Sequence, residues 1–242
     1  MGQEPLISCL CVTHERAPFM PWLLWSFNRQ SWSNKELLIV DSSRTPWVPP
    51  RSQEDIRVLQ CPEFPGVPAK RNLALTESRG ELICWFDDDD WQHPDRLVIL
   101  AAAMEEGAAI AGSKSAFFLG LQSQRCRLYH ARKFVIFNSA CFRREVALSQ
   151  CFDTSRRRGS DTAWMNRISR GHTSSWLESQ LFFWLCHEDN LSNPVTKRGF
   201  DQPLRNLQEC CGSAWKNTDE HMNRLKERLL KRYGADAEIA NP

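Results

Sequence analysis

The apolar run Leu82-Ile83-Cys84-Trp85-Phe86 leads without a break into four consecutive aspartates, Asp87, Asp88, Asp89 and Asp90, followed by Trp91-Gln92-His93-Pro94. Four adjacent carboxylates repel one another, so a fold keeps them at the mouth of a hydrophobic strand only if a cation neutralises the cluster. An oxygen-only donor set disfavours zinc and copper. It suits a hard ion, Mn2+ or Mg2+, that keeps coordination positions open for phosphate oxygens. An acidic turn that merely capped the helix started by Pro94 would need one Asp as N-cap and tolerate a second near the helix dipole, but gains nothing from four. The run therefore predicts a metal–diphosphate site at a strand end.

With 242 residues and 42% hydrophobic content, the chain can bury a full core and is most simply one domain of α/β size. Its formal charge of +2 is too mild to demand a polyanionic partner, although arginines cluster at residues 125–132 and 156–158. No apolar run approaches the length of a membrane span, and the start Met1-Gly2-Gln3-Glu4-Pro5-Leu6 lacks a signal-peptide core and the Ser/Thr of a myristoylation motif. The expectation is a cytoplasmic protein. Of ten cysteines, Cys9, Cys11, Cys84, Cys141 and Cys186 lie in strand-like apolar segments, where a free thiol behaves as a small hydrophobe. A reduced compartment accounts for them, and with no Cys-x-x-Cys pair and only His221 near Cys210-Cys211, a structural zinc site is not expected.

Along the chain, residues 6–13 read as a strand and 18–30 as an amphipathic helix opened by Pro18. Residues 35–40 form a second strand ending at Asp41, 45–50 a Pro-rich loop, 55–59 a third strand and 68–78 a helix. A fourth strand is expected at 82–87 and a helix at 94–106, ended by Gly107. This β-α-β-α order implies a parallel sheet with ligands at the carboxyl ends of its strands. Beyond Gly112, residues 115–119 and 125–130 alternate as an antiparallel hairpin across 120–124, and 133–142 continues a strand-like pattern. A helix at 161–170, a strand at 180–186 and an amphipathic tail helix at 218–233 complete the expectation. The organisation read from this is two halves of one domain, 1–112 and 113–208, and a helical tail at 209–242.

Five ordered blocks carry a resemblance to a family 2 glycosyltransferase of the GT-A fold, spanning roughly residues 6–192. They are Val12-Thr13-His14-Glu15-Arg16; the segment 30–41 ending in Leu38-Ile39-Val40-Asp41; Lys70-Arg71-Asn72 with Gly80-Glu81 and the Asp run; Ser160-Asp161-Thr162-Ala163-Trp164; and His187-x-x-Asn190-x-Ser192. The resemblance implies a Rossmann-like, mostly parallel sheet flanked by helices, with a smaller antiparallel acceptor-side portion. It implies a UDP-sugar donor, with Thr13, Glu15 and Asp41 at the nucleoside, where a strand-end Asp can accept a hydrogen bond from the uracil imide. Arg71 can pair with the diphosphate or with the acidic run. Asp87 then faces the ribose and Asp89 ligates the metal. Asp88 is grouped with the donor contacts and Asp90 with the metal ligands, and a one-place shift of the motif would exchange their roles with those of their neighbours.

The departing diphosphate needs its charge stabilised, by the cation and by His187 as a further metal or diphosphate group. The attacking hydroxyl must lose a proton to a carboxylate opposite the diphosphate, and Asp161 is the candidate base. Ser160 stands where the family usually has Glu, and Asp41-Ser42-Ser43-Arg44 where it has Asp-Asp-Gly-Ser. The expected activity is metal-dependent inverting transfer to a saccharide. Arg156-Arg157-Arg158, directly before the base, together with ten tryptophans, keep nucleic acid (DNA modification at a hydroxylated base) as the alternative acceptor. A nucleotidyltransferase and a non-catalytic nucleotide-sugar binding module are the remaining classes. The first is disfavoured because residues 13–19 contain no glycine for a phosphate loop.

Overall fold

A computed structural model describes residues 4–51, 53–61, 66–120, 125–178, 181–186 and 202–203. The chain clusters into two compact units, one within Met1–Lys114 and Ala131–Phe182, the other within Ser115–His130 and the chain from Phe183 onward. The expected tail helix at 218–233 lies outside the described residues.

The first unit opens with β1 (Ile7–Thr13), followed by a 3-10 turn at Ala17–Phe19 and α1 (Met20–Asn28). Next come β2 (Lys35–Asp41), β3 (Ile56–Gln60), α2 (Val67–Glu77), β4 (Leu82–Trp85), the two-residue β5 (Trp91–Gln92), α3 (Arg96–Glu105) and β6 (Ile110–Ser113). The chain then supplies β7 (Ser115–Gly120) and β8 (Arg125–His130) to the second unit. It returns with a 3-10 turn at Phe137–Ser139, β9 (Cys141–Arg143), α4 (Arg144–Leu148), α5 (Ser160–Ile168) and β10 (Ser174–Leu177). β11 (Phe182–Cys186) and β12 (Gln202–Pro203) end the described chain.

The main sheet has the order β10-β6-β9-β4-β1-β2-β3. β1 pairs in parallel with both β2 and β4, and β2 in parallel with β3; β9 alone runs antiparallel, between β4 and β6. This is the doubly covered α/β sheet that the near-continuous apolar strands require, since a strand buried on both faces cannot alternate with polar residues. On one face Cys9, Cys11, Leu37, Ile39 and Cys84 pack with Met20, Leu23 and Phe27 of α1 and Leu97, Leu100 and Met104 of α3. On the other, Leu10, Leu38, Val40, Ile83 and Trp85 pack with Ala74 and Leu75 of α2 and Trp164, Met165 and Ile168 of α5. Because β1, β2 and β4 are parallel neighbours, their carboxyl ends come out on one edge.

The second unit is a smaller sheet. β7 and β8 pair antiparallel from Ser115↔His130 to Gly120↔Arg125, as the alternation predicts, while β11 joins β7 in parallel and β12 joins β8 antiparallel. Phe118 and Trp184 are register partners, and their rings stack at 4.1 Å.

Two expectations are corrected. Of residues 133–142 only Cys141 and Phe142 form a strand: Ser139 accepts a bond from Ser113 N–H and donates to Ile136 O, which curls the chain into the 3-10 turn before the three-residue β9. The fourth strand stops at Trp85 rather than at residue 87, because the chain turns back at once through an Asp90 N–H to Asp87 O contact of 3.5 Å. Sequence periodicity did not reveal β6, β10 or α4, which at four or five residues are too short to display a period.

Gly80 lies against β1 so closely that a Cβ would meet Leu6 O and Ser8 N at 2.6 Å each. Its N–H donates to Ser8 Oγ, which in turn donates to the buried Glu36. Gly80→Ala is expected to cost about 1–3 kcal/mol through overpacking against backbone and to lower the thermal midpoint by several degrees in differential scanning calorimetry. An unchanged midpoint would show that the 78–81 turn and β1 separate freely.

Candidate active site

The site is built where β1, β2 and β4 end. Thr13, the last residue of β1, donates its hydroxyl to Asp88 Oδ2 at 2.6 Å. Two residues on, Glu15 adopts a left-handed φ of 52°, a conformation that costs a non-glycine residue of order 1 kcal/mol. That kink is held by Glu15 N–H donating to Ser43 Oγ and by Arg44 N–H donating to Glu15 Oε1. The chain then presents Arg16, whose guanidinium donates from Nη1 to Asp88 Oδ1 at 2.7 Å and from Nη2 to Asp89 Oδ2 at 2.5 Å while lying over the Phe19 ring.

The other two aspartates are tied from below. Asn138, in the 3-10 turn before β9, donates to Asp87 Oδ2 and, at 3.2 Å, to Asp90 Oδ2. Trp22 Nε1 donates to Asp90 O at 2.9 Å. Arg96 is fully buried, and its guanidinium binds Trp85 O, Gln92 Oε1 and Ala140 O, lacing together both ends of the acidic loop and the turn that carries Asn138. Arg71, predicted as a donor residue, is buried in a box of Trp85, Phe137 and Phe152, and its Nε has no hydrogen-bond partner among the described residues.

Asp41, expected at the nucleoside, is buried and caps its own loop. Its Oδ1 accepts from Ser43 N–H and Oγ, and its Oδ2 from Trp47 N–H. The buried Lys70 donates to Thr13 O at 2.6 Å and Ser42 Oγ at 3.0 Å, joining the ends of β1 and β2, and burial lowers its pKa. Thr13, Glu15 and Asp41 are therefore brought together, with their side chains already engaged in shaping that edge.

Asp161 sits in the first turn of α5, where its Oδ1 accepts from Thr162 N–H. The helix is anchored by Trp164, which stacks on Phe152 at 4.6 Å and meets Phe137 and Phe142 edge-on, so it shares the aromatic cluster around Arg71. Arg156, Arg157 and Arg158 are exposed on the preceding loop, and Arg156 pairs with Asp153 at 3.3 Å. His187 lies outside the described residues.

Sequence reasoning assigned no role to Arg16, Asn138 or Arg96. Arg16 stood inside the first motif, and proximity to the Asp run was invisible because 71 positions and a strand crossover separate them. Asn138 lay in a segment read as a strand, and Arg96 in a helix whose polar positions are usually solvated.

The residues present fit a hard divalent cation. The acidic run offers only oxygen donors, and two of its carboxyls are held above the usual range. Desolvation raises Asp87 against the pull of Arg71, and burial together with the Asp89 charge pushes Asp88 up to about 7 despite Arg16 and Thr13. A cation would relieve that crowding. Among the described residues no three His, Cys, Asp or Glu side chains close on one point. An ion held by one or two carboxylates and the oxygens of a diphosphate needs no such cage.

The mainly parallel sheet flanked by helices, with the acidic run on its carboxyl edge, is an α/β architecture of the GT-A type. The profile of glycosyl transferase family 2 matches residues 8–150, more than half of the chain, and the chain belongs to that family. WcaA of Escherichia coli (strain K12), which bears the name of a colanic acid biosynthesis glycosyl transferase, is 32% identical over 114 residues, 44% of this chain and 40% of its own length. YwdF of Bacillus subtilis (strain 168), an uncharacterized glycosyltransferase, is 31% identical over 102 residues, 41% of this chain and 38% of its own. The chain thus spans about two fifths of these curated relatives. Among solved structures, S. aureus TarS 1–349 in complex with UDP superposes with a TM-score of 0.60 at 15% identity, covering 74% of this chain and 60% of that one. The mannosyltransferase PcManGT from Pyrobaculum calidifontis, in complex with GDP-Man and Mn2+, gives a TM-score of 0.55 at 15% identity, covering 97% and 66%. At such identities the likeness is one of fold. No helix among the described residues is long and apolar enough to cross a membrane.

A folded-state pKa for Asp88 above the unfolded value of about 3.9 means that the native protein binds this proton more tightly. The associated stability is complete below the unfolded pKa and is lost as pH rises through about 7. In metal-free buffer the thermal midpoint should therefore fall between about pH 4 and 7, and Asp88→Asn should flatten that fall. Equal slopes in the two proteins would assign the titration to another group.

Proposed function

We propose that this chain is a metal-dependent, inverting glycosyltransferase that moves a sugar from a UDP-linked donor to a saccharide hydroxyl. The observation that carries the reading is the acidic run at the end of β4, bonded through Asp88 to Thr13 at the end of the neighbouring β1, within the stretch matched by the family. The nucleotide ligands of TarS and PcManGT and the colanic acid association in the name of WcaA support a nucleotide-sugar donor and a saccharide product.

In this reading Thr13, Glu15 and Asp41 form the wall against the uracil base, and Asp87 faces the ribose. Asp89, with Asp90 and His187, holds Mn2+ or Mg2+; when bound, that ion neutralises charge developing on the leaving diphosphate. Arg71, desolvated among aromatic rings, adds a fixed positive potential beside Asp87. Asp88, tied to Thr13, is the strut that fixes the acidic loop to the nucleoside edge. The acceptor oxygen attacks the anomeric carbon as its proton passes to Asp161. The bond from that carbon to the diphosphate oxygen breaks, and UDP leaves with inversion.

Two variants test the assignments. Asp89→Ala should abolish the difference in UDP affinity with and without Mn2+ in calorimetric titration; equal affinities in the unmutated protein would remove the metal from the mechanism. Asp161→Asn keeps the shape and removes the basicity, so it should bind UDP normally while transfer falls about 10²-fold or more, followed by UDP release. Turnover retained at the unmutated rate would place the base elsewhere.

A further inference from the structure

Among the described residues, Arg16 bonds two carboxylates of the acidic run directly as a cation. Its fork lies across the adjacent carboxylates Asp88 and Asp89, so it offsets the repulsion between them that a divalent ion would otherwise relieve. Within that group the guanidinium is the member nearest solvent: its side chain is 18% exposed, against 1% for Asp88 and 9% for Asp89. The backbone that carries it is held at the left-handed Glu15 by its N–H donating to Ser43 Oγ and at Arg16 itself by Phe19 N–H donating to Arg16 O at 2.9 Å, while the Glu15 carboxylate accepts from Arg44 N–H. Any rearrangement therefore falls on the side chain alone. A planar guanidinium fits a phosphate pair as well as a carboxylate pair, by the same two-pronged donation.

We infer that Arg16 is a donor-binding residue that serves as the resident counter-ion of the acidic run until the nucleotide arrives. On donor binding its fork leaves Asp89 and pairs with the diphosphate, freeing Asp89 to take the cation. Arg16 thereby couples the two ligands: Asp89 accepts the cation poorly while the fork holds it, and well once phosphate oxygens hold the fork. This rests on the metal-dependent reading above and adds a residue to it.

The test is calorimetric titration of the full chain with MnCl2 alone, UDP alone and UDP at saturating MnCl2, for the unmutated protein, Arg16→Gln and Arg16→Lys. Circular dichroism in the near ultraviolet confirms that each is folded. Arg16→Gln is expected to bind Mn2+ without nucleotide about tenfold more tightly, because Asp89 is released, and to bind UDP with Mn2+ about tenfold more weakly, because a charge-assisted bond is lost. Arg16→Lys keeps the charge without the fork and should fall between. Mn2+ affinity unchanged or reduced in Arg16→Gln overturns the counter-ion role, and unchanged UDP affinity overturns the transfer to diphosphate. Should the unmutated protein bind UDP equally with and without Mn2+, the metal-dependent reading and this inference fall together. Metal-dependent UDP binding in the unmutated protein beside an indifferent Arg16→Gln overturns the inference alone.

Discussion

Holding four carboxylates at the end of a fully buried strand is the constraint around which the first unit is organised. Asp88, Asp89 and Asp90 are buried, so water cannot screen them, and each must find a protein partner. The partners come from three separate segments: Thr13 at the end of β1 with Arg16 just beyond it, Trp22 in α1 on the Asp90 carbonyl, and Asn138 in the turn before β9. Satisfying the charges therefore forces these segments to meet. Arg96 extends the same logic inward: a guanidinium without exposure can persist only with carbonyl and amide oxygens around it, and those oxygens belong to the two ends of the acidic loop and the Asn138 turn.

The site is rigid on one side and adjustable on the other. β1 and β2 are stitched at their carboxyl ends by Lys70, Ser42 and the capped Asp41 loop, all buried. A sheet edge made of such groups keeps one shape, which suits the proposed recognition of a base by a few placed hydrogen bonds. The partly exposed Arg16 fork, by contrast, is a pair of ionic bonds whose partners can be exchanged. In the proposed donor site, the preorganised edge and the exchangeable cation would read base and diphosphate by different physical means.

The aromatic cluster links the donor edge to the proposed base. Trp85 belongs to β4, Phe137 to the Asn138 turn, Phe152 to the loop before α5 and Trp164 to α5 itself, and these rings contact one another around Arg71. Asp161 rides on the helix that Trp164 anchors, so its position follows from ring packing rather than from a polar contact with the acidic run.

The chain alone determined the sheet class, the strands 7–13 and 35–41, the hairpin of the second unit and the place of the Asp run directly after a buried strand. Each of these depends on local information: apolar strands long enough to show buried character, a helix opened by proline, and like charges whose adjacency is itself the signal. Only the tertiary structure decided that 133–140 curls instead of extending, that Arg96 is a core residue, and that Arg16 and Asn138 are the partners of the carboxylates. Those outcomes depend on groups between about 25 and 75 positions apart in sequence meeting in the fold. The register that brings them together follows from parallel strand pairing across the whole sheet, a global property that no window of sequence contains.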